Sequence, residues 1–545
     1  MNQQPSEQTV VPPAGMNRRG VLHSLAVGVW CVALFAACLC FYTRNNGFPL
    51  EFHPDEPGKV RQVMEGTRNY LHPQLMLEAT ELWRKINPTT DDPLAIVIAG
   101  RQVSAFFGAG AVTMLALTAY LCAGWWGLVI GSVMLGLCPP ILIYSHYMKE
   151  DASLLFGVAM VILASRVVWM TRRWWARILA WVMLAAGCAL AASWKYVGAM
   201  AVLMPLALIF LAPGFKWYRP ILRLLLLVLL FVLFLGVINH RVLNPGGLDF
   251  ARVVTNPQDW RVLLNPVFLR GVETEIAHSS TQHWFLTANQ PNTYMIRTAI
   301  SQSWPVAVIP ILFLPLALWL TRKQGFFWEM VLVGFMVCCT LVLSYSVILF
   351  PRYALPVTAM VYLLATIVIG RLLLSGESRP ILQVTLGTLI LVIVLCLGFP
   401  ACIDYTHQFG NDSRFALRDW IKVNLPRNAR VLADGYAELT AREIGRGDLN
   451  INSHFILPLM PGFEYQLRRG GEKYIVICDL AYNRYFETSA LPAPGHEQTC
   501  ENARKFYAKL LKEHVPVWSY KSARPMYAFT NPAISVYRLK SGEKP

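Results

Sequence analysis

The sequence predicts a polytopic α-helical membrane protein, with about eleven transmembrane helices followed by a C-terminal soluble α/β domain. Two properties of the composition support this class: 55% of the 545 residues are hydrophobic, and only 15% are charged. The mean hydropathy of +0.43 is too high for a chain of ordinary soluble domains. The third observation is that apolar stretches of about 20 residues, enough for a helix to cross roughly 30 Å of hydrocarbon, recur over the first 400 positions.

These apolar stretches define the predicted spans. They cover residues 20–42, 95–121, 124–144, 152–170, 176–193, 196–212, 220–239, 303–320, 326–348, 354–372 and 380–400. The first span is too long for a cleaved signal peptide and no small-residue cleavage site follows it, so we interpret it as an anchor. The predicted organisation is a cytoplasmic tail at 1–19, a transmembrane module at 20–400 and an extracytoplasmic α/β domain at 401–545.

The net charge of +16 is explained by membrane topology rather than by nucleic-acid binding. The basic residues gather in short loops at every second crossing, which is the pattern of cytoplasmic loops. The opposite, outer side then receives the segments 43–94, 145–151, 240–302 and 349–353 and the chain from 401 onward. Because the outer segments hold nearly all the candidate chemistry, we expect a multi-pass protein of the inner (plasma) membrane with its site facing outward.

Twelve cysteines suggest a disulfide scaffold until they are placed on the chain. Eight lie inside predicted spans and Cys122 lies between two adjoining spans, and in lipid cysteine behaves as a small apolar residue. Only Cys402, Cys478 and Cys500 lie beyond the last predicted span. Whether Cys478 and Cys500 pair is left open, since an extracytoplasmic location permits a bridge but the sequence does not define its geometry.

Two adjacent carboxylates follow the first span. Residues 51–57 read Glu-Phe-His-Pro-Asp-Glu-Pro, which places Asp55 and Glu56 between prolines at the start of a predicted helix. A plain helix cap is one interpretation, because negative charge and proline both favour a first helical turn. The other interpretation is a pair of catalytic carboxylates at the membrane surface.

Two short outer turns carry further charges. In the turn 145–151, Lys149 and Asp151 join two long apolar spans, where a charge is costly unless it is paired or functional. Near 349–353, Arg352 either grips a phosphate or extends toward water. Each interpretation has equal weight for these residues.

The long loop 240–302 contains Arg270, Glu273, Glu275, His278 and His283. Its histidines and glutamates match no firm metal-ligand spacing, so metal binding by this loop is disfavoured. Phosphate binding by Arg270 or His278 is the better interpretation.

From residue 401 the composition becomes polar and mixed. A helix is predicted at 412–423 and another at 505–513, with strands at 429–434, 474–479 and 534–539. This alternation favours a small α/β or α+β domain. The domain has no phosphate-binding glycine loop and no nucleophile elbow, so we assign it packing, substrate covering or partner contact.

Taken together, four motifs resemble the GT-C superfamily of membrane glycosyltransferases, in particular the bacterial branch similar to protein O-mannosyltransferases and aminoarabinose transferases. They are His-Pro-Asp-Glu at 53–56, Lys-Glu-Asp at 149–151, Arg-Tyr at 352–353 with Leu-Pro at 355–356, and 412–421. The resemblance implies a polyprenyl-phosphate sugar donor and places Asp55 and Asp151 at the family's two acidic positions. It leaves the dependence on a divalent metal (Mg or Mn) open, with Asp55, Glu56 and Asp151 as the candidate ligands.

The expected activity is transfer of a hexosyl or pentosyl group to a glycan, lipid or protein acceptor. In this hypothesis Asp55 is the general base, and Glu56 or Asp151 orients it or helps to hold a metal. Lys149, Arg352, His278 and Arg270 are the candidates for binding the donor phosphate. The alternatives are a transporter or flippase of lipid-linked sugars, against which the gathering of charges at one face argues, and a non-catalytic assembly protein.

Overall fold

The structure is a computed structural model that describes most of the chain. It covers residues 18–211, 218–244, 250–280, 286–288, 297, 300–301, 303–304, 307–320, 327–344, 351–375, 380–468, 473–486, 490–492, 495–524 and 528–539.

Helices dominate the part of the chain before residue 411. They are α1 (Arg18–Tyr42), α2 (Glu56–Glu65), α3 (Leu75–Ile86), α4 (Pro93–Gly136), α5 (Pro139–Ser145), α6 (Asp151–Met170), α7 (Trp174–Trp194), α8 (Leu203–Leu211), α9 (Tyr218–Ile238), α10 (Phe250–Thr255), α11 (Pro266–Ser280), α12 (Val308–Leu320), α13 (Phe327–Ser344), α14 (Leu355–Ser375) and α15 (Pro380–Gly410). A short strand, β1 (Leu286–Ala288), lies between α11 and α12.

Within the described residues, seven helices are long and apolar enough to cross a membrane, which confirms a multi-pass membrane protein. They are α1, α4, α6, α7, α9, α14 together with the short turn before it, and α15. Shorter apolar helices at Tyr196–Leu211 and Phe327–Leu343 coincide with two further predicted spans.

The second and third predicted spans differ most from the structure. Helix α4 runs through both, with a break at Ala123 and Gly124, where Gly124 takes a φ of +57°. The third span then ends early, because Pro139 starts the separate helix α5. Apolar length predicted the lipid-compatible stretches, while the break and the proline determined how they divide.

The soluble domain follows α15 and mixes helices with strands, as predicted. Its elements are α16 (Ser413–Asn424), β2 (Arg430–Asp434), α17 (Ala441–Ile444), β3 (Asn450–His454), α18 (Phe463–Arg468), β4 (Lys473–Cys478), α19 (Asp479–Tyr482), β5 (Ala490–Pro492), α20 (Glu497–Glu513), β6 (Trp518–Tyr520) and β7 (Ile534–Leu539). The five-stranded sheet has the order β3-β2-β4-β7-β6, with β2 parallel to β3 and β4, and β7 antiparallel to its neighbours.

Two backbone connections join the soluble domain to the membrane module, besides contacts between side chains. Helix α15 continues to Gly410, ten residues beyond the predicted boundary at 400, and leads almost directly into α16. Strand β1 pairs antiparallel with β5, so the long loop after α9 is tied to the soluble domain.

The cysteines are free thiols, including Cys478 and Cys500, so the bridge left open by the sequence is absent. Side chains alternate between the two faces of a strand. Cys478 lies at the end of β4 and packs with Tyr436 and Ala481, whereas Cys500 on α20 packs with Ile475 and other residues of the opposite face. The sheet itself therefore separates the two sulfur atoms.

Candidate active site

The first acidic motif lies at the start of α2, where Asp55 occupies the N-cap position. Its side chain makes no capping hydrogen bond, so the plain helix cap is not what this carboxylate does. The backbone amide of Asp55 donates to Nδ1 of His53 at 3.2 Å. Burial lowers the pKa of His53 well below its ordinary value, so the imidazole is neutral and Nδ1 is available as an acceptor.

Glu56, the second carboxylate of the motif, is fully buried and already bonded. Arg101 of α4 donates to it from Nε at 3.1 Å and also from Nη2, and the Met148 amide donates at 2.7 Å. Arg101 in turn donates to the carbonyl oxygens of Asn46 and Phe48. This arrangement joins three chain segments and gives Glu56 a structural function, so the expectation that it holds a metal or orients the base finds no support in its contacts.

The turn before α6 supplies the partner of Asp55. The ammonium of Lys149 is almost fully buried and lies 2.6 Å from Oδ2 of Asp55. Glu150 lies 3.6 Å from the same ammonium and also pairs with Lys59 of α2. The two acidic turns predicted from the sequence therefore meet at one end of the helix bundle.

Asp151 begins α6 and is buried beside two cations. Lys195, which follows α7, donates to Oδ1 of Asp151 at 2.9 Å. The guanidinium of Arg352 lies 3.8 Å from Oδ2 of Asp151 and 3.9 Å from Oδ2 of Asp55. Arg352 thus points into the protein between the two aspartates rather than extending toward water.

These seven side chains form what we call the charged cluster: Lys59, Lys149, Lys195, Arg352, Asp55, Glu150 and Asp151. Four basic groups thus face three carboxylates, and burial together with the neighbouring Lys149 lowers the pKa of Lys59 well below its ordinary value. Burial opposes ionisation of Asp55, but Lys149 and Arg352 outweigh it and hold the pKa of this carboxyl well below its ordinary value. Asp55 retains a side-chain exposure of 37%, so its carboxylate is reachable from outside the cluster. Basic side chains next to a reachable carboxylate suit an anionic ligand.

A narrow cavity opens from the cluster. Its volume is about 20 Å³, and its charged lining residues are Asp151, Lys195 and Arg352. The rest of its wall is mainly apolar. That part is formed by Leu154, Val158, Val197, Gly198, Met200, Ala201, Phe335, Cys339, Leu343, Tyr353 and Pro356.

The two candidate phosphate ligands of the long loop are not part of this arrangement. Arg270 is exposed on α11, and no contact described for it reaches the charged cluster. The side chain of His278 lies outside the described residues. Helix α11 packs closely on the segment at Tyr70, since a Cβ on Gly271 would lie 2.6 Å from the Tyr70 carbonyl oxygen, and the Glu275 carboxylate interacts electrostatically with Lys195 and Lys149.

Sequence reasoning missed Lys59, Lys195 and Arg101. Lys195 separates two apolar stretches at the end of a span, which is itself a signal, because a charge at that depth is expensive without a partner. Lys59 lies on the predicted helix after the first motif and carries no such signal, since lysine is common on solvated helices. Only the approach of Glu150 identifies it.

The candidate metal ligands do not fit a divalent ion. Each of Asp55, Glu56 and Asp151 already faces a lysine or arginine. A divalent cation prefers several carboxylate or other oxygen donors free of competing cations. Among the described residues, no group of three histidine, cysteine or acidic side chains is arranged to hold a metal.

This bundle of membrane helices followed by a small α/β domain is the GT-C fold that the sequence predicts, and the chain shares it with ArnT. It aligns with ArnT from Cupriavidus metallidurans bound to undecaprenyl phosphate over 95% of this chain and 98% of ArnT, at 12% identity and a TM-score of 0.50. It aligns with the apo oligosaccharyltransferase of Archaeoglobus fulgidus over 88% and 72% of the two chains, at 11% identity and a TM-score of 0.48. No family model matches the sequence, and no curated protein is significantly similar to it.

Proposed function

We propose that this protein transfers a sugar from a polyprenyl-phosphate donor to an acceptor at the outer face of a bacterial-type inner membrane. One observation carries the proposal: a mainly apolar cavity ends at Lys195 and Arg352, and Arg352 also faces Asp55. A polyprenyl phosphate has the matching parts, an apolar chain and an anionic head. The ArnT structure that shares the fold is bound to undecaprenyl phosphate, which supports a ligand of this class.

In this proposal the cations of the charged cluster bind the donor phosphate. Arg352 and Lys195 line the cavity, and Lys149 pairs with Asp55. They neutralise the negative charge that grows on the phosphate as its bond to the sugar breaks. Such compensation is stronger in a buried, water-poor site than in water, and here it needs no divalent ion.

Asp55 is the proposed general base. It accepts the proton of an acceptor hydroxyl or amino group while the acceptor atom forms its bond to the anomeric carbon. The bond from that carbon to the phosphate oxygen breaks, and its electron pair leaves with the polyprenyl phosphate. A single displacement of this kind inverts the anomeric centre.

The pairing of Asp55 with Lys149 links donor binding to base strength. In the structure Lys149 holds the pKa of Asp55 low, which makes the carboxylate a weak base. A phosphate that draws Lys149 and Arg352 toward itself weakens their hold on Asp55, and the pKa of Asp55 rises. The base then becomes effective only when the donor is in place.

The proposed location follows from the loops. Arginine-rich loops at every second crossing put the charged cluster and the soluble domain on the outer side. Hexosyl and pentosyl donors both remain within the proposal, as do glycan, lipid and protein acceptors.

The test is release of free undecaprenyl phosphate by the purified protein. Undecaprenyl phosphate carrying mannose, glucose or aminoarabinose is supplied with a cell-envelope extract as acceptor, and both products are followed by mass spectrometry. We expect one donor to be consumed while an acceptor gains the mass of one sugar residue. If no donor is consumed, and undecaprenyl phosphate alone does not raise the unfolding temperature, the proposal is wrong.

A further inference from the structure

A loop of the soluble domain, residues 528–532, touches both segments that supply the charged cluster. The hydroxyl groups of Thr530 and Tyr147 lie 2.6 Å apart, in a buried position. Phe529 packs edge-on against the ring of His53, with 4.8 Å between ring centroids. Tyr147 packs against the same His53 ring at 4.7 Å. The 528–532 loop therefore holds the two acidic turns together at a single point.

Each of these contacts lies two residues from a member of the Asp55–Lys149 ion pair. Tyr147 precedes Lys149 by two residues, in the tight turn before α6. His53 precedes Asp55 by two residues, and it accepts the hydrogen bond from the Asp55 amide. Because a displacement of about 1 Å in a reacting group is enough to lower a rate about 100-fold, contacts this near are able to control the geometry of the pair.

The 528–532 loop is itself firmly held where α15 meets α16. Asn531 has a φ of +55°, a left-handed conformation that non-glycine residues seldom adopt unless the surroundings enforce it. Its amide donates to Asp412 at 2.5 Å, and its side-chain oxygen accepts from the Ser413 amide at 2.9 Å. Arg414 pairs with Asp412 and donates to the Phe529 carbonyl oxygen at 2.9 Å. The buried ion pair thus fixes the loop at the start of α16, and Arg414 also donates to the Phe52 carbonyl oxygen of the first outer segment at 3.3 Å.

We infer that Thr530 and Phe529 are positioning residues for the proposed reaction, through which the soluble domain fixes Asp55 relative to Lys149. The inference rests on the proposed function. Thr530 acts through Tyr147, and Phe529 acts through His53. The soluble domain is then more than a cover for the site, because it holds the base and its cation at their working distance without touching substrate.

The test compares Thr530→Val with variants that separate position from stability. Valine has nearly the shape of threonine but has no hydroxyl, and Thr530→Ser restores the hydroxyl. Tyr147→Phe removes the same hydrogen bond from the other side. The matched control is Tyr507→Phe, which removes a buried hydrogen bond of 2.7 Å to Asp434 inside the soluble domain.

We expect Thr530→Val and Tyr147→Phe each to lower kcat about tenfold, with the KM for the lipid donor unchanged. The double variant should be no worse than either single variant, since both remove one hydrogen bond. Thr530→Ser should recover most of kcat, and Tyr507→Phe should keep it. A loss of kcat shared equally by Tyr507→Phe would assign the effect to domain stability and overturn the inference.

Hydrogen exchange tests the same contact without turnover. In Thr530→Val, peptides covering 53–57 and 146–150 should exchange faster than in the wild type, whereas Tyr507→Phe should leave their exchange unchanged. If Thr530→Val folds poorly, Tyr147→Phe takes its place. Unchanged exchange and unchanged kcat would overturn the positioning role. If the wild-type protein consumes no donor but exchange responds as expected, the proposed function fails and the mechanical coupling stands.

Discussion

Buried carboxylates occur in two regions of this molecule, and their neighbours differ. In the charged cluster, Asp55 and Asp151 face the side chains of lysine and arginine. In the soluble domain, Asp434 at the end of β2 accepts hydrogen bonds from two backbone amides and from the Tyr507 hydroxyl. Both regions remove a carboxylate from water, which by itself favours the protonated form.

The outcome of burial is opposite in the two regions. Cations hold the pKa of Asp55 well below its ordinary value, whereas burial raises the pKa of Asp434 from 3.8 to about 6 in spite of its hydrogen bonds. The amides of Leu457 and Cys478 bond to the Asp434 carboxylate, so Asp434 holds these two segments against the end of β2. In the charged cluster the neighbours are lysine and arginine side chains instead, and in the proposed function these bind the donor phosphate.

Removing the charge of Asp55 should have the largest effect on activity. Asp55→Asn keeps the shape of the side chain but removes the base, so we expect turnover to fall by about 10²–10⁴-fold. The unfolding temperature should fall less than in Glu56→Gln, because Asp55 is partly exposed and Glu150 remains 3.6 Å from the Lys149 ammonium. Release of undecaprenyl phosphate is the measurement, with Asp91→Asn at the exposed end of the first loop as control.

Glu56→Gln tests whether Glu56 stabilises the fold, in contrast to the neighbouring Asp55, which is the proposed base. It leaves the buried guanidinium of Arg101 without its counter-charge, which typically costs about 3–5 kcal/mol of stability. The variant should lose folded yield and thermal stability first. A well-folded Glu56→Gln protein with the turnover loss of Asp55→Asn would instead make Glu56 part of the chemistry.

Arg352→Ala should raise the KM for the lipid donor by about 10–100-fold, since a charge-assisted hydrogen bond to phosphate is worth about 1.5–3 kcal/mol. The KM for the acceptor should change much less. Arg270→Ala is the companion variant, because the sequence predicts phosphate binding there and the structure places the side chain at the surface. An equal rise in the KM for the donor in both variants would indicate that Arg270 also binds the donor phosphate.

Asp434 should make stability depend on pH in the direction opposite to a salt-bridged carboxylate. Its folded pKa of about 6 lies above the ordinary 3.8, so the folded state holds the proton more tightly. The resulting stability, on the order of 3 kcal/mol, is complete below about pH 4 and is lost as the pH rises through 6. Unfolding temperatures of the full chain between pH 4 and 7 check this. Asp434→Asn should be less stable throughout, with a flatter pH dependence; an unchanged slope would contradict the assignment.

The smallest expected effect is that of removing divalent metal. Because the carboxylates of the charged cluster face cations, we expect EDTA to change turnover by less than about twofold. The assay compares EDTA-treated protein with and without added Mg²⁺ or Mn²⁺. A loss of turnover that Mg²⁺ or Mn²⁺ restores would show that these carboxylates hold a metal, and it would contradict the prediction.

Much of the fold could be predicted from local patterns in the sequence. Apolar length identified the membrane helices, and short runs of strand-forming residues identified β2, β4 and β7, because both patterns depend on residues within about twenty positions of one another. The turns near Asp55 and Lys149 were also recognisable, since charges beside apolar spans need a reason. The break in α4 at Ala123 and Gly124 lies where the predicted spans 95–121 and 124–144 divide, whereas the early end of the third span before Pro139 was not predicted.

The sequence by itself determined which residues are chemically able to act, and the tertiary structure decided which of them do so together. Glu56 and Asp55 are neighbours in the chain, yet Arg101 takes one and leaves the other reachable. Lys195 joins Asp151 across 44 positions, and Thr530 reaches Tyr147 across 383. The physical reason is that burial and ion pairing depend on which surfaces pack against each other, and neither is written in the spacing of residues along the chain.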